Sequence, residues 1–292
     1  MSIILDGTTG ITTPAETVSG AVTAATVTAT GLISGATNYT GFKNLLIDAG
    51  FTINQRSYVS AATLASGSYG HDRWKAGASG GNYTFTQLAS STTITIASGK
   101  SLIQVVEDKN VNGTSFVLSW TGTAQARFAV NSATPSGSYA ASPILITGQT
   151  VGTTMSVEFN TGTLTNPQLE LGSTATSFDC RDYGRELIMC QRYYQLVSNI
   201  IASGNTTTQL AATAPFQTPM RSAPSLGAQG VICVSDGTSD FLQSSSAANS
   251  INTDSNSAIF LLPNFTSTVA KQVYIGYRLN PNSNKIILSA EL

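Results

Sequence analysis

The feature that most constrains this chain is a change of hydrophobic period. From Tyr39 to about Phe178 apolar residues alternate. Tyr83 and Phe85 oppose Thr84 and Thr86, while Phe116, Leu118 and Trp120 oppose Ser115, Val117 and Ser119. Met155, Val157 and Phe159 oppose Ser156 and Glu158, and Leu169 and Leu171 oppose Gln168 and Glu170. A period of two sends successive side chains to opposite faces of a strand, so one face of each strand should be apolar and the other wet. Clusters such as "SGSYG", "GASGGN" and "NVNGT" separate the runs, as turns separate antiparallel strands. The expected fold is all-β, with an antiparallel β-sandwich over residues 39–181.

Over 182–198 the period becomes helical. Tyr183, Leu187, Cys190, Tyr194 and Val197 recur at intervals of four, three, four and three, tracing one stripe of a linking helix. Asp182 is placed to cap its N-terminus, and Glu186 lies near the positive end of its dipole. Such a helix can lie across its own sandwich, or its stripe can meet the same stripe of neighbouring chains about a trimer axis. Alternation then returns: Val273, Ile275 and Tyr277 oppose Gln272 and Tyr274, and "KIILSAEL" reads as a strand built into a sheet. Residues 199–292 are therefore expected to form a smaller C-terminal β domain, with the proline-bearing "FQTPMRSAP" on an edge or loop.

Residues 1–38 differ from both regions, being built of Thr, Ala, Gly, Ser and Val with single apolar residues. They favour extended backbone but bury too little to order alone. The expectation is an extended attachment arm that orders against a partner or against copies of itself, the alternative being a flexible tail that stays disordered.

Composition removes several functions. Charged residues make up 10% of the chain, against about 25% in an ordinary soluble domain. Lys+Arg 14 balance Asp+Glu 15, so no basic field exists to hold a phosphate backbone, which argues against nucleic-acid binding. The start "MSIILDGTTG" lacks a basic region followed by an apolar one, and no apolar run is long enough for a membrane-spanning helix. The expectation is synthesis in a cytoplasm without membrane insertion. Cys180, Cys190 and Cys233 fit no metal or disulfide spacing and read as reduced thiols.

Catalytic signals are weak. His71 is the sole histidine, and neighbouring Asp72 would point to the opposite face of a strand, badly placed to orient the ring. The one G-x-S-x-G match, "GASGG" at 77–81, falls in a glycine cluster read as a turn between strands and has no helical pattern after it, unlike a nucleophile elbow. The carboxylates Asp48, Glu107, Asp108, Glu158 and Glu170 are scattered, and two could meet in the fold as glycosidases require, which keeps a glycan-cleaving reading open. Glu107, Asp108 and the carbonyls of "KNVNG" could hold a structural calcium ion; no other cofactor or metal is expected. Aromatic rings that stack on sugar faces are the better candidates. Tyr58, Tyr69, Trp74 and Tyr139 are the residues selected. Trp74 has a competing core reading, as Trp120 does more strongly, while Tyr69 and Tyr139 lie among Gly and Ser.

Several stretches resemble bacteriophage tail-fibre and related virion-appendage proteins. "NLLIDAGFTINQRSY" is similar to that family's opening strand, with Ser57 where glycine is common; "YGHDRWKAG" and "LIQVVED" resemble two further steps. "PQLELGSTATSFDCRDYGRELIMCQRYYQ" resembles its long P-Q-L-E-x-G to C-Q-R-Y-Y segment, with Cys180 at a position often held by proline. Together they span Asn44 to Gln195. "FQTPMRSAPSL" and "LSAEL" resemble fibre C-terminal domains, and "LDGTTGITTP" resembles virion-anchoring N-termini. The resemblance implies a carbohydrate-binding-module-like jelly roll in a homotrimeric virion appendage. Its arm, residues 1–38, would dock on baseplate, tail or neck proteins, its helix would lie near the threefold axis, and its β domains would face host-surface polysaccharide without catalysis. A glycan-cleaving tailspike would favour long β-helix repeats, and no such period is present. A purely structural whisker or decoration fibre is the remaining alternative.

Overall fold

The computed structural model describes residues 43–88, 91–197, 200–229, 232–245, 248–266, 268–277 and 285–292. The expected arm over 1–38 lies outside the described residues.

The first ten strands are β1 Lys75–Ala76, β2 Tyr83–Phe85, β3 Ile94–Ile96, β4 Leu102–Val106, β5 Ser115–Thr121, β6 Ala126–Ala129, β7 Ser136–Ala140, β8 Ile144–Thr147, β9 Met155–Phe159 and β10 Gly162–Leu171. They make two five-stranded sheets, ordered β1-β4-β9-β6-β7 and β2-β3-β10-β5-β8. Every pairing is antiparallel. One hydrophobic cluster takes side chains from both sheets, including Leu102, Met155, Val157 and Phe159 from the first and Phe116, Leu118, Leu164 and Leu169 from the second. Met155, Val157, Phe159, Phe116, Leu118 and Leu169 are apolar members of the sequence alternation, so the period of two set their core face correctly.

The opposite face is not uniformly wet. Ser156, Glu158, Gln168 and Glu170 are buried, because chain folds back over them and supplies polar partners. Thr176 donates to Glu170 from its backbone N at 2.8 Å and from its hydroxyl at 2.7 Å, and Ser156 Oγ donates to Ser132 O. A buried carboxylate is tolerable only when hydrogen-bonded in this way.

Among the described residues there is one α-helix, α1 Tyr183–Gln191. Asp182 caps it as expected, accepting from Arg185 N at 3.0 Å. The helix stops at Gln191 instead of running to 198, which corrects the sequence reading. Tyr193 N donates to Cys190 O in a tight last turn, and Tyr194–Val197 becomes strand β11, paired with Ser289–Ile286. A short helical stripe has little stability of its own, and a long-range strand pairing overrides it.

The remaining strands are β12 Ile201–Thr206, β13 Gln209–Pro215, β14 Ser225–Gln229, β15 Cys233–Ser235, β16 Asp240–Leu242, β17 Asn249–Thr253, β18 Ser257–Leu262, β19 Val273–Tyr277 and β20 Lys285–Ser289. They form a three-stranded sheet, β11-β20-β14, and a seven-stranded sheet, β16-β15-β19-β12-β13-β18-β17. A second cluster containing Leu210, Phe260, Leu262, Tyr274, Ile286 and Leu288 draws on both. "KIILS" is indeed a strand, and its central position between β11 and β14 is decided by tertiary pairing. A small third cluster joins Ile47 and Ile53 to Cys190 and Tyr193, with Leu187, Met189 and Leu292 packed against it.

Candidate functional site

The polar residues of the quoted motifs converge on a buried junction between the first two sheets, α1 and the last residues. Arg56 donates to Asp72 at 2.9 Å and to Glu291 at 2.8 Å while lying 3.6 Å from the ring centre of Tyr194. Gln55 bridges Asp72 Oδ2 and Tyr194 O. Arg73, 2% exposed, pairs with Glu291 and covers Tyr193 at 3.7 Å. Tyr193 and Arg192 both donate to Glu107, at 2.7 and 2.8 Å. Arg181 joins Glu186 to the carbonyl of Asn44, and the side chain of Gln104 both accepts from Ile47 N and donates to Ile47 O.

These are structural assignments, and they correct several expectations. Glu107 is engaged by Arg192 and Tyr193 instead of being presented to calcium, and among the described residues no group of three or more His, Cys, Asp or Glu side chains could hold a metal ion. His71 is fully buried. Its backbone N donates to the Tyr83 hydroxyl at 2.8 Å, and its Nδ1 lies 2.6 Å from the same oxygen. The hydroxyl proton therefore goes to Nδ1, and Nε2 carries the ring hydrogen toward Gln87 Oε1 at 3.0 Å. Burial lowers the imidazole pKa to about 4, so His71 is a neutral core residue.

Of the aromatic candidates, Trp74 is 0% exposed; its Nε1 donates to Asp48 O, and its ring stacks on Phe51 at 4.7 Å. It is core. Tyr58 is half-buried against Tyr83, and its hydroxyl donates to Ala62 O. Tyr69 donates to Leu292 O at 2.7 Å and flanks Arg56 at the junction. Of the stripe residues, Cys190, Tyr194 and Val197 are buried within this single chain, and Leu187 is partly buried against the Ile47–Ile53–Cys190–Tyr193 cluster. Such side chains cannot also line an interchain axis. Tyr183 is exposed.

Tyr139 alone reaches an open polar site. On the outer face of the first sheet, β4, β9 and β6 bring Ile103, Glu158 and Arg127 side by side in register. Glu158 Oε1 accepts from Ser101 Oγ at 2.6 Å, and Oε2 accepts from Arg127 Nε at 2.6 Å. This clamp fixes the guanidinium, which lies 4.8 Å from the ring centre of Tyr139. The bond to Glu158 raises the Arg127 pKa, so the cation persists at any ordinary pH. Arg127 remains 30% exposed. Around it opens a cleft of about 230 Å³ lined also by Lys100, Asn160 and Thr161. A second hollow of about 500 Å³, edged by Phe128, Ser132, Thr134 and Gly137, adjoins β6 and β7.

Gly77 makes the clamp possible. A Cβ there would sit 2.0 Å from Ser101 Oγ and 2.8 Å from Glu158 Oε1, a space no side chain can share.

Sequence reasoning singled out Tyr139 and passed over Arg127, Lys100 and Asn160, which line the same cleft. Glu158 was visible as the outward member of an alternating strand, but Arg127 lies 31 positions earlier, and only the order β4-β9-β6 brings them together. The site offers a fixed cation, an aromatic face, amide and hydroxyl groups in an open cleft. It can bind a polyhydroxylated ligand; both oxygens of its carboxylate already accept hydrogen bonds, which does not suit an acid–base role.

No protein family matches the chain, and no curated protein sequence matches it.

Proposed function

We propose that this chain is a bacteriophage virion structural protein, a tail fibre or similar short appendage, that attaches to host-surface glycan without cleaving it. The observation that carries this reading is the Arg127–Tyr139–Glu158 arrangement. A guanidinium held by a carboxylate and stacked on a half-buried ring is pre-ordered, so little conformational entropy is lost when a sugar lies against it. The two facing five-stranded sheets are consistent with a carbohydrate-binding-module-like jelly roll. In this proposal the protein is a homotrimer, and residues 1–38 anchor it to baseplate, tail or neck proteins of the particle. Among the described residues no helix is long and apolar enough to cross a membrane.

The test is retention of purified protein on host cells or host polysaccharide. Wild type should be retained, Arg127→Ala and Tyr139→Ala should each weaken retention about tenfold or more, and no new reducing ends should appear. Release of oligosaccharides would convert the reading to a depolymerase. Equal retention of wild type and both variants would remove the cleft from the proposal.

A further inference from the structure

The outer face of the seven-stranded sheet has an unusual composition. Antiparallel sheets with one face on a core ordinarily turn polar residues to water on the other. Here Ala202, Ala212, Phe260 and Tyr274 point inward and are buried, while the alternate residues Ile201, Ile275, Val273 and Ile259 are 64%, 62%, 61% and 42% exposed. They are contiguous. Ile201 pairs directly with Ile275 on β19 and with Thr213 on β13, and Thr213 pairs with Ile259 on β18. One row therefore crosses four adjacent strands with three isoleucines, and Val273 opens the next row opposite Ser203. Single exposed apolar side chains need no explanation, but a registered group of β-branched ones does.

We infer that this face packs against the same face of other copies of the chain, all turned toward a shared axis. Three observations favour a copy over a different partner. The strands β12, β13, β15, β17, β18 and β19 contain no Asp, Glu, Lys or Arg at all. The seventh strand, β16 at the sheet edge, carries Asp240 opposite Ser235; the apolar row at the centre thus carries nothing to select a charged partner, and meeting its own likeness desolvates no charge there. The extent is also adequate. Seven strands at about 4.8 Å spacing and roughly five residues at about 3.3 Å each give a footprint of about 500 Å², most of the ~800 Å² per partner of a standard interface. Finally, the helix stripe cannot serve, since Cys190, Tyr194 and Val197 are buried inside the chain. The inference rests on the proposed appendage reading only for the expected count of three copies; the contact itself does not depend on it.

Native mass spectrometry and mass photometry of the full chain provide the test. Wild type should associate at low micromolar concentration. Ile201→Glu with Ile275→Glu should weaken association at least 100-fold, with an unchanged circular dichroism spectrum. The milder Ile201→Thr with Ile275→Thr should weaken it less and guards against misfolding of the first variant. Val59→Glu, at a residue 68% exposed in the first β region, should leave assembly intact. A photoreactive benzoylphenylalanine at position 275 should cross-link chain to chain. A monomeric wild type, undiminished association of the glutamate variant, or cross-links only to residues 1–42 of the same chain would each overturn the inference. Glycan retention measured per chain on the dissociated variant separates the two readings: loss of assembly with retained binding leaves the attachment proposal standing, and intact assembly without binding leaves this one.

Discussion

The guanidinium of Arg56 lies 3.6 Å from the ring centre of Tyr194. These residues are 138 positions apart and belong to two of the most recognisable stretches, "NQRSY" and "CQRYYQ". Asp72 from "GHDRW" and Glu291 from "LSAEL" complete the contact by accepting from the same guanidinium. The most distinctive motifs thus build a junction, while the charged and aromatic side chains of the open cleft, Lys100, Arg127, Tyr139 and Glu158, lie in no motif.

Glu291 is the acceptor shared by Arg56 and Arg73. Arg73 is 2% exposed, and its Nε has no hydrogen-bond partner in the structure. Glu291→Ala would leave a buried cation without its counter-charge, a loss of about 3–5 kcal/mol. The melting temperature should fall by roughly 6–20 °C. A fall of less than two degrees would show that water reaches the junction.

His71 and Asp72 should pull the pH dependence of stability in opposite directions. Burial depresses the His71 pKa from 6.5 to about 4, so its contribution is complete above the unfolded value of 6.5 and is lost as pH falls through 4. That amounts to about 3 kcal/mol. Burial raises the Asp72 pKa from 3.8 to about 6, against the pull of Arg56; its contribution is complete below 3.8 and is lost as pH rises through 6. His71→Gln should therefore flatten the loss of stability between pH 6.5 and 4, and Asp72→Asn should steepen it. Urea titrations at four pH values within that window measure both, and parallel curves for all three proteins would refute the assignment.

Trp74 and Tyr139 should separate stability from binding. Trp74→Ala empties a site stacked on Phe51 and edge-on to Phe159, which costs about 3–5 kcal/mol. Tyr139→Ala removes a half-buried ring at the cleft and should change stability by about 1 kcal/mol or less, while glycan retention falls. Comparable destabilisation by the two substitutions would place Tyr139 in the core.

Gly77→Ala probes the clamp without touching the Tyr139 ring. Its Cβ would meet Ser101 Oγ and Glu158 Oε1, so Glu158 must move and release Arg127 from its fixed position. Retention on glycan should drop severalfold, with about 1–3 kcal/mol of destabilisation from overpacking. Unchanged retention would mean that the orientation of Arg127 is immaterial.

Leu187→Asp should act within one chain. Leu187 packs on the Ile47–Ile53–Cys190–Tyr193 cluster, so a carboxylate there loosens α1 from the sheets beneath it. The expected result is a lower melting temperature with the oligomeric state unchanged from wild type. Dissociation of an oligomer with an unchanged monomer melt would return the helix to an interchain axis.

Alternation, turn residues and the Asp182 cap were enough to read an all-β chain, its first core face and the start of its helix, because these depend on near neighbours. Phe116, Leu118, Val157 and Phe159 could be assigned inward for that reason. The end of the helix could not be read: Tyr194 and Val197 fit the helical stripe, and only their pairing with Ser289 and Ile286 makes them a strand. Trp74 and Tyr139 are likewise both sugar candidates in the sequence, with only the Gly and Ser around Tyr139 and a competing core reading of Trp74 to tell them apart; the first is enclosed by Phe51 and Phe159, and the second stands beside Arg127. What the sequence determined by itself was period, caps and composition, the properties set within a few residues along the chain. Which polar groups are buried, which face stays apolar and open, and which cation meets which ring were decided by strand order, because pairings such as Arg127 with Glu158 and Ile201 with Ile275 exist only after sheets bring distant residues into register.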